Sequence, residues 1–175
     1  MRFRSVIALG GALLLGGIVV FELWAEPIPE VGGPAPVVFV CRNGVAMSVW
    51  SAAYFNRLAA AHGLRERAIA RAAVPSYSAV PLNMTFALAI DGFRLDGYRP
   101  QVISAEDARA AEFVVAIDTE LPSEVRPSVP RTEVWQGFPP MREQYFPSRK
   151  ALKARVEALV ERLAAAAPAD PAATP

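Results

Sequence analysis

Val37-Val-Phe-Val-Cys41-Arg-Asn-Gly-Val-Ala-Met-Ser48 is an apolar run that stops at the chain's only cysteine and leads into a helical pattern. Val37 to Val40 are β-branched or aromatic with no polar alternation, which predicts a parallel strand buried on both faces. Gly44 tolerates positive φ, and Ser48 has the chemistry of a helix N-cap. The stretch therefore reads as strand, tight loop and helix start. A thiol at Cys41 would face loop N–H groups and the positive end of a helix, and both favour a thiolate and a bound anion.

Downstream, Trp50, Tyr54 and Leu58 recur at helical spacing, with Phe55 and Ala59 beside them and Gly63 as a stop. They predict a helix of about four turns whose aromatic stripe is core. Arg67 to Ala72 reads as a second strand and Val74 to Pro81 as a loop. Leu82 to Ile90 reads as a helix closed by Asp91-Gly92, with Met84, Leu88 and Phe86 on its inner side. Ser104 caps a short helix with Asp107 at N3, Phe113 to Asp118 is a strand, and Arg131 to Trp135 another. Leu152, Val156, Leu159, Val160 and Leu163 carry a last helix, with Ser148 as its cap. Strands and helices thus alternate from Val37 to Leu163, which predicts an α/β fold with a parallel sheet, right-handed crossovers and a ligand at the carboxyl ends of the strands.

The remaining segments flank one ordinary domain. In a chain of 175 residues, 53% hydrophobic and 20% charged, residues 37–163 form the core-bearing unit. Met1-Arg-Phe-Arg is basic and Ser5 to Phe21 is apolar and uncharged, so residues 1–25 read first as an export signal cleaved after Ala25, and second as a short membrane anchor. Either reading places the domain outside the cytoplasm, periplasmic or secreted in the first case and membrane-bound in the second. Residues 26–36 read as a linker, and residues 164–175, all Ala, Pro, Asp and Thr, as a disordered tail. Beyond Ala25 positive and negative side chains balance and the arginines are scattered, which argues against a nucleic-acid partner. Cys41, being alone, forms no internal disulfide. No cofactor or metal is expected.

The loop resembles that of the low-molecular-weight protein-tyrosine phosphatase family: Cys, five residues, Arg, then Ser or Thr. Without a gap, Cys41 falls on the family's nucleophile and Ser48 on its hydroxyl residue. The resemblance implies a three-layer α/β fold with a four-stranded parallel sheet, and an anion loop formed by Arg42, Asn43, Gly44, Val45, Ala46, Met47 and Ser48. It also exposes two departures. The arginine position is Met47, so the bidentate phosphate clamp is missing, and the Asp-Pro of the loop after the fourth strand is Pro139-Pro140, so the general acid is missing. Glu133 and Glu143 are the nearest carboxylates, each read as a surface charge. Asp118 matches a family aspartate and is either a loop tie or part of the site.

The expectation is an exported phosphatase-like protein, catalytically impaired, that can take phosphate or a phosphorylated ligand. The alternative is an active phosphatase in which Cys41 works with a non-standard arginine, Arg42 at the rim or Arg71 or Arg94 from elsewhere. Arsenate reduction on the same fold would need further cysteines to resolve a thiol–arsenic adduct. A non-enzymic reading makes Cys41 a small buried hydrophobe in a partner-binding module, its protein partner unknown.

Overall fold

Both faces of Val37–Cys41 are covered, and that is why the strand carries no polar residue. In the computed structural model, which describes residues 26–27, 35–64, 67–75, 77–95 and 97–166, this strand is one of the two central strands of a parallel sheet. The elements run Glu26–Pro27 (β1), Val37–Cys41 (β2), Met47–Ala61 (α1), Ala68–Ala72 (β3), Leu82–Ile90 (α2), Phe93–Arg94 (β4), Ala105–Ala110 (α3), Phe113–Ile117 (β5), Thr132–Trp135 (β6) and Tyr145–Ala166 (α4). The main sheet has the order β3-β2-β5-β6 with every neighbour parallel, and β1 pairs with β4 in a separate two-stranded ladder.

Period-two geometry divides β2 between two cores. Val37, Phe39 and Cys41 face α1 and α4, where they meet Val49, Trp50, Phe55, Leu152 and Val156. Val38 and Val40 face the opposite way, with Ile69, Val114, Ala108 of α3 and Leu121. The result is helices, sheet and helix in three layers. Phe39 is the pivot of the first core, its ring 5.9 Å from Phe55 and 5.8 Å from Trp135. Asp91, just past α2, takes hydrogen bonds from Trp50 Nε1 and Tyr145 OH, each 2.6 Å, and an ion pair from Arg149 at 2.7 Å, so one buried carboxylate joins three helices.

Three local expectations are corrected. α1 begins at Met47 with Ala46 at the N-cap, so Ser48 lies one residue inside the helix and does not cap it. α4 begins at Tyr145 because Pro147 is tolerated in a first turn, which puts Ser148 inside the helix, buried, with no hydrogen-bond partner for its hydroxyl among the described residues. Phe86 is exposed, not inward: at about 100° per residue it lies across the helix from Met84 and Leu88.

Ser104 and Asp107 form the expected capping box. At the proposed linker, Glu26–Pro27 is tied to β4 and Ala35 is already buried. Residues 1–25 and 167–175 lie outside the described residues, so the expectations for signal, anchor and most of the tail do too. Among the described residues no helix is long and apolar enough to cross a membrane.

Candidate functional site

Cys41 ends β2, in register with Ala72 of β3 and Ile117 of β5, at the carboxyl edge where parallel sheets bind ligands. The chain then folds back over β3. Gly44 has φ +64°, and a Cβ there would lie 3.0 Å from both the Cβ and the N of Ala72. Glycine is thus required twice, for the left-handed backbone and for the close approach. The loop is pinned on both sides. Ala73 N donates to Cys41 O at 2.9 Å and Val74 N to Arg42 O at 3.1 Å, while Tyr98 OH donates to Gly44 O at 2.8 Å. Burial, reinforced by the adjacent Cys41, pushes the Tyr98 hydroxyl above the ordinary tyrosine range, so it stays a donor.

Within the loop, Cys41 Sγ lies 3.1 Å from Ser48 Oγ. Among the described residues no protein group accepts from the N–H groups of residues 43 to 46. Those donors are unpaired at the start of α1.

A pocket of about 240 Å³ opens over the thiol. Its near wall is Arg42, Asn43, Val45, Ala46 and Met47, and its far wall is Pro140, Met141, Arg142 and Glu143 from the loop after β6. Asp118 holds that loop. It has φ 45°, the one positive φ outside glycine among the described residues, and its carboxylate accepts from Gly137 N at 2.8 Å and Phe138 N at 3.1 Å. Asp118 therefore ties this loop, and it is not among the residues that line the pocket.

No protein-family profile and no curated protein matches the sequence. Solved structures do match the fold. An arsenate reductase in the phosphate-binding state is 21% identical over 72% of this chain and 96% of its own, with a TM-score of 0.58. A YwlE mutant from Bacillus subtilis is 17% identical over 73% and 97%, at 0.63, and a low-molecular-weight protein tyrosine phosphatase from T. tengcongensis is 17% identical over 72% and 97%, at 0.56. The chain has the low-molecular-weight protein-tyrosine-phosphatase fold. At such identities the shared property is backbone architecture.

In this fold Arg42, Asn43, Val45, Ala46 and Met47 line the pocket with Cys41, Ser48 meets its sulfur from within α1, Gly44 faces Ala72 instead, and the candidate arginines separate. Arg71 stands away from the thiol: it pairs with Val40 across the sheet, so its side chain lies on the face opposite Cys41, where its guanidinium binds Asp107 at 2.9 and 3.0 Å. Although burial raises the Asp107 carboxyl, the bonds from Arg71 and Ser104 prevail and hold it below the usual carboxylate range. Arg94 pairs with Pro27 in the small ladder and does not line the pocket. Arg42 is exposed at the rim, as expected.

Sequence reasoning missed Arg142, which lines the pocket from the far wall while its Nη1 donates to Tyr77 OH at 3.0 Å. Nothing in its neighbourhood has periodicity, and its nearness to Pro139-Pro140 was the one available signal. Glu143 lines the same wall, whereas Glu133 is taken by Trp135 Nε1 at 2.8 Å and Arg162 at 2.6 Å. Chemically, the site offers a thiol, the guanidinium groups of Arg42 and Arg142 and the Glu143 carboxylate in the walls, and a thioether where the resemblance would place a guanidinium.

Proposed function

We propose that this protein is an exported phosphatase-like domain that binds phosphate or a phosphorylated ligand in the loop 41–48 and turns it over slowly or not at all. The observation that carries the reading is Met47 in the wall of the Cys41 pocket, with Pro140 and Met141 facing it. A thiolate displaces a phosphoryl leaving group rapidly when the equatorial oxygens are held and a poor leaving oxygen is protonated. Loss of a transition-state charge donor costs about 10²–10³ in rate and loss of a general acid about 10²–10⁴. The two need not multiply, yet either leaves little turnover. Loop N–H donors remain for ground-state binding.

Thermal unfolding under a phosphate titration tests the binding half. A competent loop raises Tm with phosphate concentration, by about 2.7 kcal/mol of stabilisation at a hundred times Kd. No rise at any phosphate concentration would reduce the loop to a relic. Export rests on the basic Met1-Arg-Phe-Arg followed by the apolar Ser5–Phe21, and cell fractionation of the full chain reads it directly. Recovery in the cytoplasm with Met1 in place would remove it.

Arg142 and Arg42 favour a second reading, an active phosphomonoester phosphatase, because both line the pocket from opposite walls and Glu143 stands beside Arg142. Thiol-dependent hydrolysis abolished by Arg142→Met or Arg42→Met, and weakened by Glu143→Gln, would select it. Arsenate reduction through a resolving cysteine of the same chain is not adopted, since Cys41 is the only cysteine.

A further inference from the structure

Helix α2 is apolar on two opposite sides. Met84 and Leu88 are buried in the core, while Leu82, Phe86 and Ile90, spaced four residues apart on the other side, are 76%, 70% and 67% exposed. They are the three most exposed large hydrophobic residues among those described, and no residue of Leu82–Ile90 is charged. A surface helix ordinarily carries its polar residues on that side, and a contiguous apolar row there marks a contact surface.

The path of the chain says what that surface meets. Glu26 pairs with Phe93 and Pro27 with Arg94 in parallel, so Glu26 lies beside the strand that begins three residues after Ile90, the last residue of α2. Phe21 is separated from Glu26 by Glu22-Leu-Trp-Ala25, a span of about 17 Å at most when fully extended. The uncharged apolar stretch Ser5–Phe21 and the apolar row of α2 are thereby tethered to one end of the domain.

We propose that Ser5–Phe21 is retained as a bilayer anchor and that the Leu82, Phe86 and Ile90 face of α2 rests in the interfacial region of the same bilayer. Retention was the second of the two sequence readings, and the α2 face is what favours it. The bilayer is a better occupant than Ser5–Phe21 itself. That stretch is apolar on every side, so three side chains would cover one side of it and leave the others in water, whereas a membrane covers all of it and the α2 row together. Arg2 and Arg4 precede the stretch and Glu22 follows it, which places the domain on the non-cytoplasmic face. The inference is independent of the chemistry at Cys41.

The test uses the full chain in phosphatidylcholine–phosphatidylglycerol vesicles. In a Cys41→Ser background, Phe86→Cys carries an environment-sensitive dye, and Glu161→Cys, exposed on α4, carries the same dye as a control. The expected result is flotation with the vesicles and several-fold stronger quenching by headgroup-region nitroxide lipid at position 86 than at 161, with the reverse order for iodide in the water. Equal lipid quenching at the two positions, or failure to float, overturns the proposal. A dye at 86 shielded from both quenchers also overturns it, because protein and not lipid would then cover the row.

Discussion

Cys41 Sγ lies 3.1 Å from Ser48 Oγ, a contact that spans the whole loop and joins the last residue of β2 to the first turn of α1. It explains why Ser48, well suited to capping by type, does not cap: its buried hydroxyl is engaged with the sulfur. Ser148, equally buried, has no such partner among the described residues. Ser48→Ala should therefore cost about 1 kcal/mol, the usual net value of one hydrogen bond, whereas Ser148→Ala should be neutral or slightly stabilising. Urea midpoints at unchanged m-value distinguish them.

Two glycines with similar backbones make a second contrast. Gly44 (φ +64°) faces Ala72 at 3.0 Å, while Gly63 (φ +69°) has nothing within 4 Å of an added Cβ. Alanine at 63 should cost only the left-handed penalty, about 1–2 kcal/mol. Alanine at 44 should add a packing penalty of about 1–3 kcal/mol and should also abolish the phosphate-dependent rise in Tm. Equal losses at the two sites would contradict the close approach of the loop to β3.

Stability should decline on the alkaline side. The folded state binds the Tyr98 proton more tightly than the unfolded chain does, chiefly through burial, and Tyr145 behaves alike through burial and its bond to Asp91. Their contribution is complete below the ordinary tyrosine value of about 10 and is lost as pH rises through the folded values. Tyr98→Phe should flatten this decline in denaturant melts between neutral and strongly alkaline pH. Asp107 works in the opposite sense: its lowered carboxyl contributes above the ordinary value of about 4 and is lost in acid, so Asp107→Asn should blunt the acid limb.

The unalternating Val37–Val40 run and the helical spacing in Leu152–Leu163 were enough to expect a parallel α/β sheet, because burial on both faces of a strand and one face of a helix leaves a direct trace in residue type. Gly44 was legible as a positive φ, yet its contact with Ala72 was not, since that distance depends on how two strands pair. Ser48 and Ser148 misled because a serine near a helix start looks the same whether it caps or is buried. The far wall of the pocket was illegible for another reason. Pro140 to Glu143 form no repeating pattern, and they reach Cys41 only because Asp118, distant in sequence, binds the loop at Gly137 and Phe138.

If the proposed reading is right, supplying an arginine at 47 and an acid at 139 should raise activity in separable ways. Met47→Arg should tighten phosphate binding, seen as a larger Tm rise at equal phosphate, by supplying a bidentate clamp. Pro139→Asp should help substrates with poor leaving groups more than nitrophenyl phosphate, which needs little protonation. The double variant should exceed either single one, and Cys41→Ser should erase the gain.

The most direct test is hydrolysis of a phosphotyrosine peptide by the unmodified protein, with Cys41→Ser measured beside it. With Met47 in the pocket wall and no acid at Pro139, kcat/KM should be at or near the background of the Cys41→Ser variant. Robust hydrolysis that disappears in Cys41→Ser would contradict the impaired-enzyme account and move the search for the missing guanidinium to Arg142 and Arg42.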